Sequence, residues 1–317
     1  MKNKILGLHH ITAIAGSAQT NLNFYTKILG TRLVKKTVNF DDPGTYHFYF
    51  GNETGEPGTI LTFFPWEGIG SGRNGAGMAT HIGYAVSPGA LAFWKERLTQ
   101  HGISYQEGEV FGEKHIAFRD PDGLQLQFIE PRTVDNRQVW TTEDIDEPVA
   151  LKGFHNVTLT LQKVEATAQV LTDILGYELQ KQEDSRYRFA TDAITTANLL
   201  DVVVDPSASR GHNAAGTNHH IAFRVKDDEV LMAYREKILS AGFHITPKID
   251  RDYFFSLYFR EPGGVLFEIA TDNPGFTVDE HLADLGTSLK LPKQYEGVRS
   301  DIEAVLPKLN FNLDHVK

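Results

Sequence analysis

The sequence predicts an α+β fold built from four βαβββ modules in two halves, and three observations predict it. Four strand-like segments carry a histidine or asparagine at one matched position: His10, His81, Asn156 and His220. A helix-stopping glycine follows each after 20, 21, 20 and 22 residues, at Gly30, Gly102, Gly176 and Gly242. Two near-identical turns, Phe118-Arg119-Asp120-Pro121-Asp122-Gly123 and Phe259-Arg260-Glu261-Pro262-Gly263-Gly264, stand 141 residues apart, close to the 139 that separate His81 from His220.

The first module opens with the strand Leu8-His9-His10-Ile11-Thr12-Ala13-Ile14. Ser17 is the N-cap expected for a helix over 18–29, with Leu22, Tyr25 and Leu29 on one stripe. Strands follow over 31–38, 46–50 and 59–64. The second module has a strand over 80–86 and a helix starting at Ser87-Pro88, with Pro in its first turn, and running to Gln100; it closes with a strand over 124–129. The third has a strand over 154–160 and a helix over 164–175. The fourth has the strand Thr217-Asn218-His219-His220-Ile221-Ala222-Phe223-Arg224-Val225, a helix over 228–240 and a closing strand over 265–270. The polar stretch 132–150 reads as the linker, giving halves 1–135 and 150–272 and an extension, 273–317, that packs on the body and includes a short helix over 300–306.

The chain of 317 residues is 41% hydrophobic and 23% charged, as globular proteins are, and its net charge of -10 argues against a nucleic-acid partner. It has no cysteine, so a metal would have to be held by His, Asp, Glu or Tyr. No apolar run approaches a membrane span, and His9 and His10 interrupt the opening apolar stretch too early for a signal core, so a cytoplasmic protein is expected. The glycine-rich stretch 68–77 lacks the Lys-Ser/Thr ending of a phosphate-binding loop and reads as a connector or a lid.

Alternation along a strand puts His10, His81, Asn156 and His220 on the cavity side and His9, His155 and His219 on the helix side. Counting seven residues from the acid of each closing turn reaches Glu268 in the fourth module, Gln127 in the second and Phe63 in the first; the third lacks the turn, and only the fourth offers an acid. If the first and fourth modules are neighbours, His10, His220 and Glu268 converge. Two imidazoles and one carboxylate with open positions beside them suit a non-haem iron(II) oxygenase. His81, Gln127 and Asn156 would then form a matching cavity without a carboxylate, a weak site for a divalent metal. The bland alternative leaves the histidines as satisfied strand residues.

The segments Leu8-His9-His10-Ile11-Thr12, Asn218-His219-His220-Ile221-Ala222 and the run from Tyr258 to Glu268 resemble the vicinal oxygen chelate superfamily, which also contains glyoxalases. Within it the chain is similar to hydroquinone-type ring-cleaving dioxygenases. The resemblance implies modules paired into two open β-barrels, Fe(II) held by His10, His220 and Glu268, and neighbouring roles for His9, Thr12, His219, Arg251 and Tyr258. It implies a small aromatic substrate, a para-diol or a catechol-type ring, and O2 as partners. Zinc, nickel or manganese are expected as substitutes in a purified sample, and self-association into a homo-oligomer stays open. From the residues alone, Tyr258 either bonds the substrate oxygen or is an ordinary strand tyrosine. Arg251 either holds negative charge near the metal or pairs with a surface acid. Thr12 lines the pocket or fills a small gap, and His219 serves as an outer residue or a proton donor. Two other classes remain: a metal-dependent lyase or isomerase of the glyoxalase kind, which would need a cavity base where Phe63 stands, and a non-catalytic binder of aromatic ligands.

Overall fold

In the computed structural model, which describes residues 4–310, each repeat folds as a strand, a helix and three strands. The first module holds β1 (Leu8–Ala15), α1 (Ala18–Asn23), β2 (Arg32–Val38), β3 (Tyr46–Gly51) and β4 (Ile60–Pro65). The second holds β5 (Met78–Ala85), α2 (Ala90–Gln100), β6 (Tyr105–Val110), β7 (Glu113–Arg119) and β8 (Gln125–Ile129). The third holds β9 (Gly153–Leu161), α3 (Glu165–Gln169), β10 (Glu178–Glu183), β11 (Arg186–Ala190) and β12 (Leu199–Val204). The fourth holds β13 (Thr217–Val225), α4 (Asp228–Ser240), β14 (Ile249–Asp250), β15 (Phe254–Arg260) and β16 (Leu266–Pro274).

The Ser17 side chain accepts the Thr20 N–H, and Asp227 does the same for Val230 at the start of α4. The four helix-ending glycines take φ of +65°, +69°, +74° and +87°, where a Cβ would be strained. α1 and α3 each run on into a π-helical turn, Phe24–Ile28 and Val170–Ile174. One expectation fails: Pro88 lies in a turn ahead of α2, and Gly89, at φ +86°, is the residue that enters the helix.

The strands form two curled, open eight-stranded sheets. One runs β14-β15-β16-β13-β1-β4-β3-β2 and joins the fourth module to the first. The other runs β10-β11-β12-β9-β5-β8-β7-β6 and joins the third to the second. Each sheet therefore takes one module from residues 1–135 and one from 150–272. The recurrent turns have a shared cause. The Asp120 carboxylate accepts the N–H groups of Asp122 and Leu124 and the hydroxyl of Tyr25, in the π-helical turn that continues α1. Glu261 accepts those of Gly263 and Val265 and the Thr167 hydroxyl of α3. Each acid thus closes its own turn and ties it to the preceding module's helix.

The core lies between sheets and helices, with Tyr25, Phe50, Phe63, Trp94, Phe128 and Phe223 among its buried side chains. The described part of the extension, through α5 (Arg299–Val305), wraps the first module. Buried Lys35 reaches Asp279 at 2.6 Å and also pairs with Glu280, while Phe276 stacks on Tyr253 and meets Tyr49 edge-on. Among the described residues no helix is long and apolar enough to cross a membrane.

Candidate metal centre

β1 and β13 lie side by side and antiparallel, which brings His10 and His220 together; β16, parallel to β13, adds Glu268. One Glu268 oxygen lies 3.1 Å from His10 Nε2 and 2.9 Å from His220 Nε2. All three side chains are buried, and their ligand atoms fall within 4.8 Å of one another.

The helix-side assignment of His9 and His219 is corrected by the strand register. Leu8 pairs with Phe223 and His10 with Ala222, so His9 has no partner; Thr12 pairs with His220 and Ala13 with Asn218, so His219 has none. Each is the extra residue of a β-bulge, which breaks alternation and turns both neighbours toward one side. His9 Nδ1 consequently lies 2.9 Å from His10 Nδ1, and His219 Nδ1 lies 2.7 Å from His220 Nδ1. The second sheet repeats the device: Thr80 and His155 are the unpaired residues there.

The bulges decide where protons sit. His9 Nε2 lies 3.0 Å from the Thr271 carbonyl, which can only accept, so His9 carries its proton there. Burial and the neighbouring His10 push its pKa well down and keep the ring neutral. Its bare Nδ1 then accepts the His10 Nδ1–H, which leaves a lone pair on His10 Nε2 facing the Glu268 carboxylate. Both Glu268 oxygens are buried without a hydrogen-bond donor. A lone pair, a second imidazole and an anion converging on one point call for a shared cation, so the donor set fits a divalent metal.

Register also corrects the counting from the turns. Ala222, two residues past His220, pairs with Glu268; at the same step Thr12 pairs with Thr62, Gly83 with Gln127 and Thr158 with Asp201. The first-module equivalent is therefore Thr62, whereas Phe63 packs in the core against Tyr25. The third module does hold an acid, Asp201. Across the hairpins Tyr258 opposes Glu268, and Arg188 opposes Asp201. The Arg188 guanidinium grips both Asp201 oxygens at 2.8 and 2.9 Å and reaches Glu113 at 2.5 Å; His155 bonds Glu113 at 2.9 Å. An internal guanidinium thus stands against the acid of the second sheet. The expected trio there is spread over other partners. Asn156 donates to Asp201, and His81, its pKa lowered to about 4 by burial and nearby arginines, lines a separate cavity with Gln125.

Beside the triad lies a cavity of about 260 Å³. Phe40, Phe64, Trp66 and Phe254 supply its aromatic walls, and Tyr258, Arg251, Thr12 and His219 also line it. The Tyr258 ring meets His220 edge-on at 5.5 Å, and the Arg251 guanidinium lies 5.4 Å from the Tyr258 ring centre and 3.8 Å from Asp41. Burial and Glu268 push the Tyr258 phenol up, so it stays a neutral donor. Thr12 Oγ1 bonds Thr62 Oγ1 at 2.8 Å, Thr62 bonds His47 Nε2 at 2.9 Å, and His47 Nδ1 bonds the Tyr49 hydroxyl at 3.0 Å. Sequence reasoning missed His47, Tyr49 and Phe254, which sit on strands without a repeated motif. The stretch 68–77 does not line this cavity: it pairs with the 209–215 loop through Ser71–Ala215, Arg73–His212 and Ala76–Arg210. A Cβ on Gly75 would fall 2.3 Å from the Ser209 carbonyl oxygen, so close loop approach explains that glycine.

Comparison with known proteins gives a consistent result. The profile of the Glyoxalase/Bleomycin resistance protein/Dioxygenase superfamily matches residues 7–128 and 153–269. A protein of Bacillus subtilis (strain 168) named as ring-cleaving dioxygenase MhqO is 48% identical over 305 residues, 96% of each chain. Chlorohydroquinone/hydroquinone 1,2-dioxygenase of Sphingobium indicum is 37% identical over 309 residues, 95% of this chain and 96% of that one. A solved structure of a Bacillus subtilis protein named as a dioxygenase superposes with a TM-score of 0.94 at 45% identity, covering 98% of this chain and 99% of that one.

Proposed function

The chain belongs to the Glyoxalase/Bleomycin resistance protein/Dioxygenase superfamily, and from that premise we propose that it is an iron(II)-dependent dioxygenase that opens hydroquinone-type or catechol-type rings with O2. The observation that carries the reading is the fully buried, donorless carboxylate of Glu268 between two imidazole nitrogens, next to an aromatic-walled cavity. His10, His220 and Glu268 would hold the metal. Iron(II) bound there would supply a Lewis acid that acidifies a diol hydroxyl and an electron source for O2.

The remaining chemistry is assigned to the chain's own residues. A cavity of about 260 Å³ suits a single ring better than a larger ligand. Phe40, Phe64 and Phe254 flank a flat substrate and exclude water. The Tyr258 hydroxyl donates to a substrate oxygen, and Arg251 offsets the negative charge of an ionised diol. The Thr12–Thr62–His47–Tyr49 chain orients the far hydroxyl through hydrogen bonds that can reverse direction. His219, bonded to His220 and lining the cavity, is kept neutral by burial and the neighbouring His220 and would orient His220 and bond the substrate. His9 fixes the His10 tautomer. A cytoplasmic place of action remains the sequence expectation.

A glyoxalase-type lyase would need a carboxylate base in the first module, and the register puts Thr62 there. A simple binder would have no use for a buried orphan carboxylate. The experiment is anaerobic Fe(II) loading followed by oxygen-electrode assay with hydroquinones and catechols. The reading predicts one O2 consumed per ring opened. An iron-loaded protein that consumes no oxygen with any of them overturns it.

A further inference from the structure

A second cavity, of about 290 Å³, opens beside His219 and His220. It shares those two side chains and Leu266 with the aromatic-walled cavity, so they form a common wall. Its other walls come from the end of one sheet meeting the other: residues 76–79 entering β5, the 210–213 loop, Asn218 of β13 and the β15–β16 turn. Its chemistry differs from that of its neighbour. The first cavity has aromatic walls and one guanidinium, Arg251, whereas this one carries two, Arg210 and Arg260, and no Phe, Tyr or Trp. Among the described residues Arg210 has no acidic partner, and Arg260 donates only to the Gly264 carbonyl, at 2.6 Å. Asn218 is buried; its amide Nδ2 donates to the Ala79 carbonyl at 3.0 Å, which fixes Oδ1 as an acceptor, and Oδ1 has no partner. Two guanidinium groups without an acidic partner make the cavity complementary to an anion.

We propose that this cavity is a carboxylate subsite that receives the ring-opened product. The inference rests on the ring-cleaving reading above. Opening a diol ring beside one hydroxyl breaks the bond between the hydroxyl-bearing carbon and its C–H neighbour. One oxygen atom of O2 ends on each carbon. The first becomes a carboxylic acid, the second an aldehyde. The two carbons lose four electrons in all, and O2 takes up all four. The acid then ionises and releases one proton. A neutral ring therefore enters and an anion leaves. In the first cavity the guanidinium of Arg251 already faces Asp41, whereas Arg210 and Arg260, on the other side of His219, have no acidic partner among the described residues, so the anion is favoured beside them. The two cavities thus divide the reaction between a neutral entrance and a cationic exit.

The test compares the iron-loaded protein with its Arg210→Gln/Arg260→Gln double variant. Both side chains are exposed, so the fold is preserved. Maleate serves as the product-like anion and phenol as the neutral ring. In the double variant maleate inhibition and calorimetric maleate binding weaken about tenfold or more, while phenol inhibition and kcat/KM for a hydroquinone change less than about twofold. Equal maleate affinity in both proteins, or none in the wild type, overturns the subsite. Arginine-dependent maleate binding in a protein that opens no diol overturns the reaction reading, and with it the product assignment, while leaving the anion site in place.

Discussion

Arg188→Met is the sharpest perturbation of the second sheet. The guanidinium holds Asp201 through two bonds and Glu113 through one, and lies 4.5 Å from the Phe111 ring centre. Methionine fills part of the volume and leaves two carboxylates buried without their cation. Breaking a buried ion pair from one side costs about 3–5 kcal/mol. Glu113 gives an independent measure. Burial works to raise its carboxyl, but His155 and Arg188 hold it at about 2 against an ordinary 4.5. A depressed carboxylate stabilises the fold above pH 4.5, and that contribution is lost as pH falls through 2. Discounted for the solvent that reaches its edge, it amounts to roughly 2 kcal/mol, shared between His155 and Arg188. Urea denaturation of the metal-free proteins should therefore show Arg188→Met less stable by about 3–5 kcal/mol at pH 7. The gap should narrow between pH 4.5 and 2, as Glu113 becomes neutral. A loss below about 1 kcal/mol at pH 7, or a gap that widens toward acid, would refute the reasoning.

Other perturbations separate the residues of the first sheet. Glu268→Ala should strip most of the metal from the purified protein and leave the circular dichroism spectrum intact, whereas Asn156→Ala should leave metal content unchanged; elemental analysis reads both. His9→Phe removes the group that orients His10 and should weaken metal binding about 10–100-fold in a competition titration, with the circular dichroism spectrum unchanged. Lys35→Met cuts the buried tie to Asp279 and Glu280 and should cost about 3 kcal/mol, with faster proteolysis of the 276–290 stretch as its local signature.

Much of this was legible in the chain because repeats report on each other. The four glycines and two acid-bearing turns mark module boundaries that a single copy would not reveal, and neighbouring first and fourth modules bring His10, His220 and Glu268 together. Strict alternation misplaced His9 and His219, because a bulge adds one residue and no local sequence feature announces it. Counting from the turns reached Phe63 instead of Thr62 and missed Asp201, because the hairpins differ in length and only pairing sets the register. The Arg188 network was invisible for the same reason: its partners lie 13 and 75 residues away on separate strands. His47 and Tyr49 read as ordinary strand residues until the fold set them beside Thr62.

The most direct measurement is an anaerobic Fe(II) titration followed by anomalous diffraction at the iron edge. The account predicts a single iron per chain, bound by His10, His220 and Glu268, with no second ion beside Asp201. Iron lodged elsewhere, or two equivalents per chain, would contradict it.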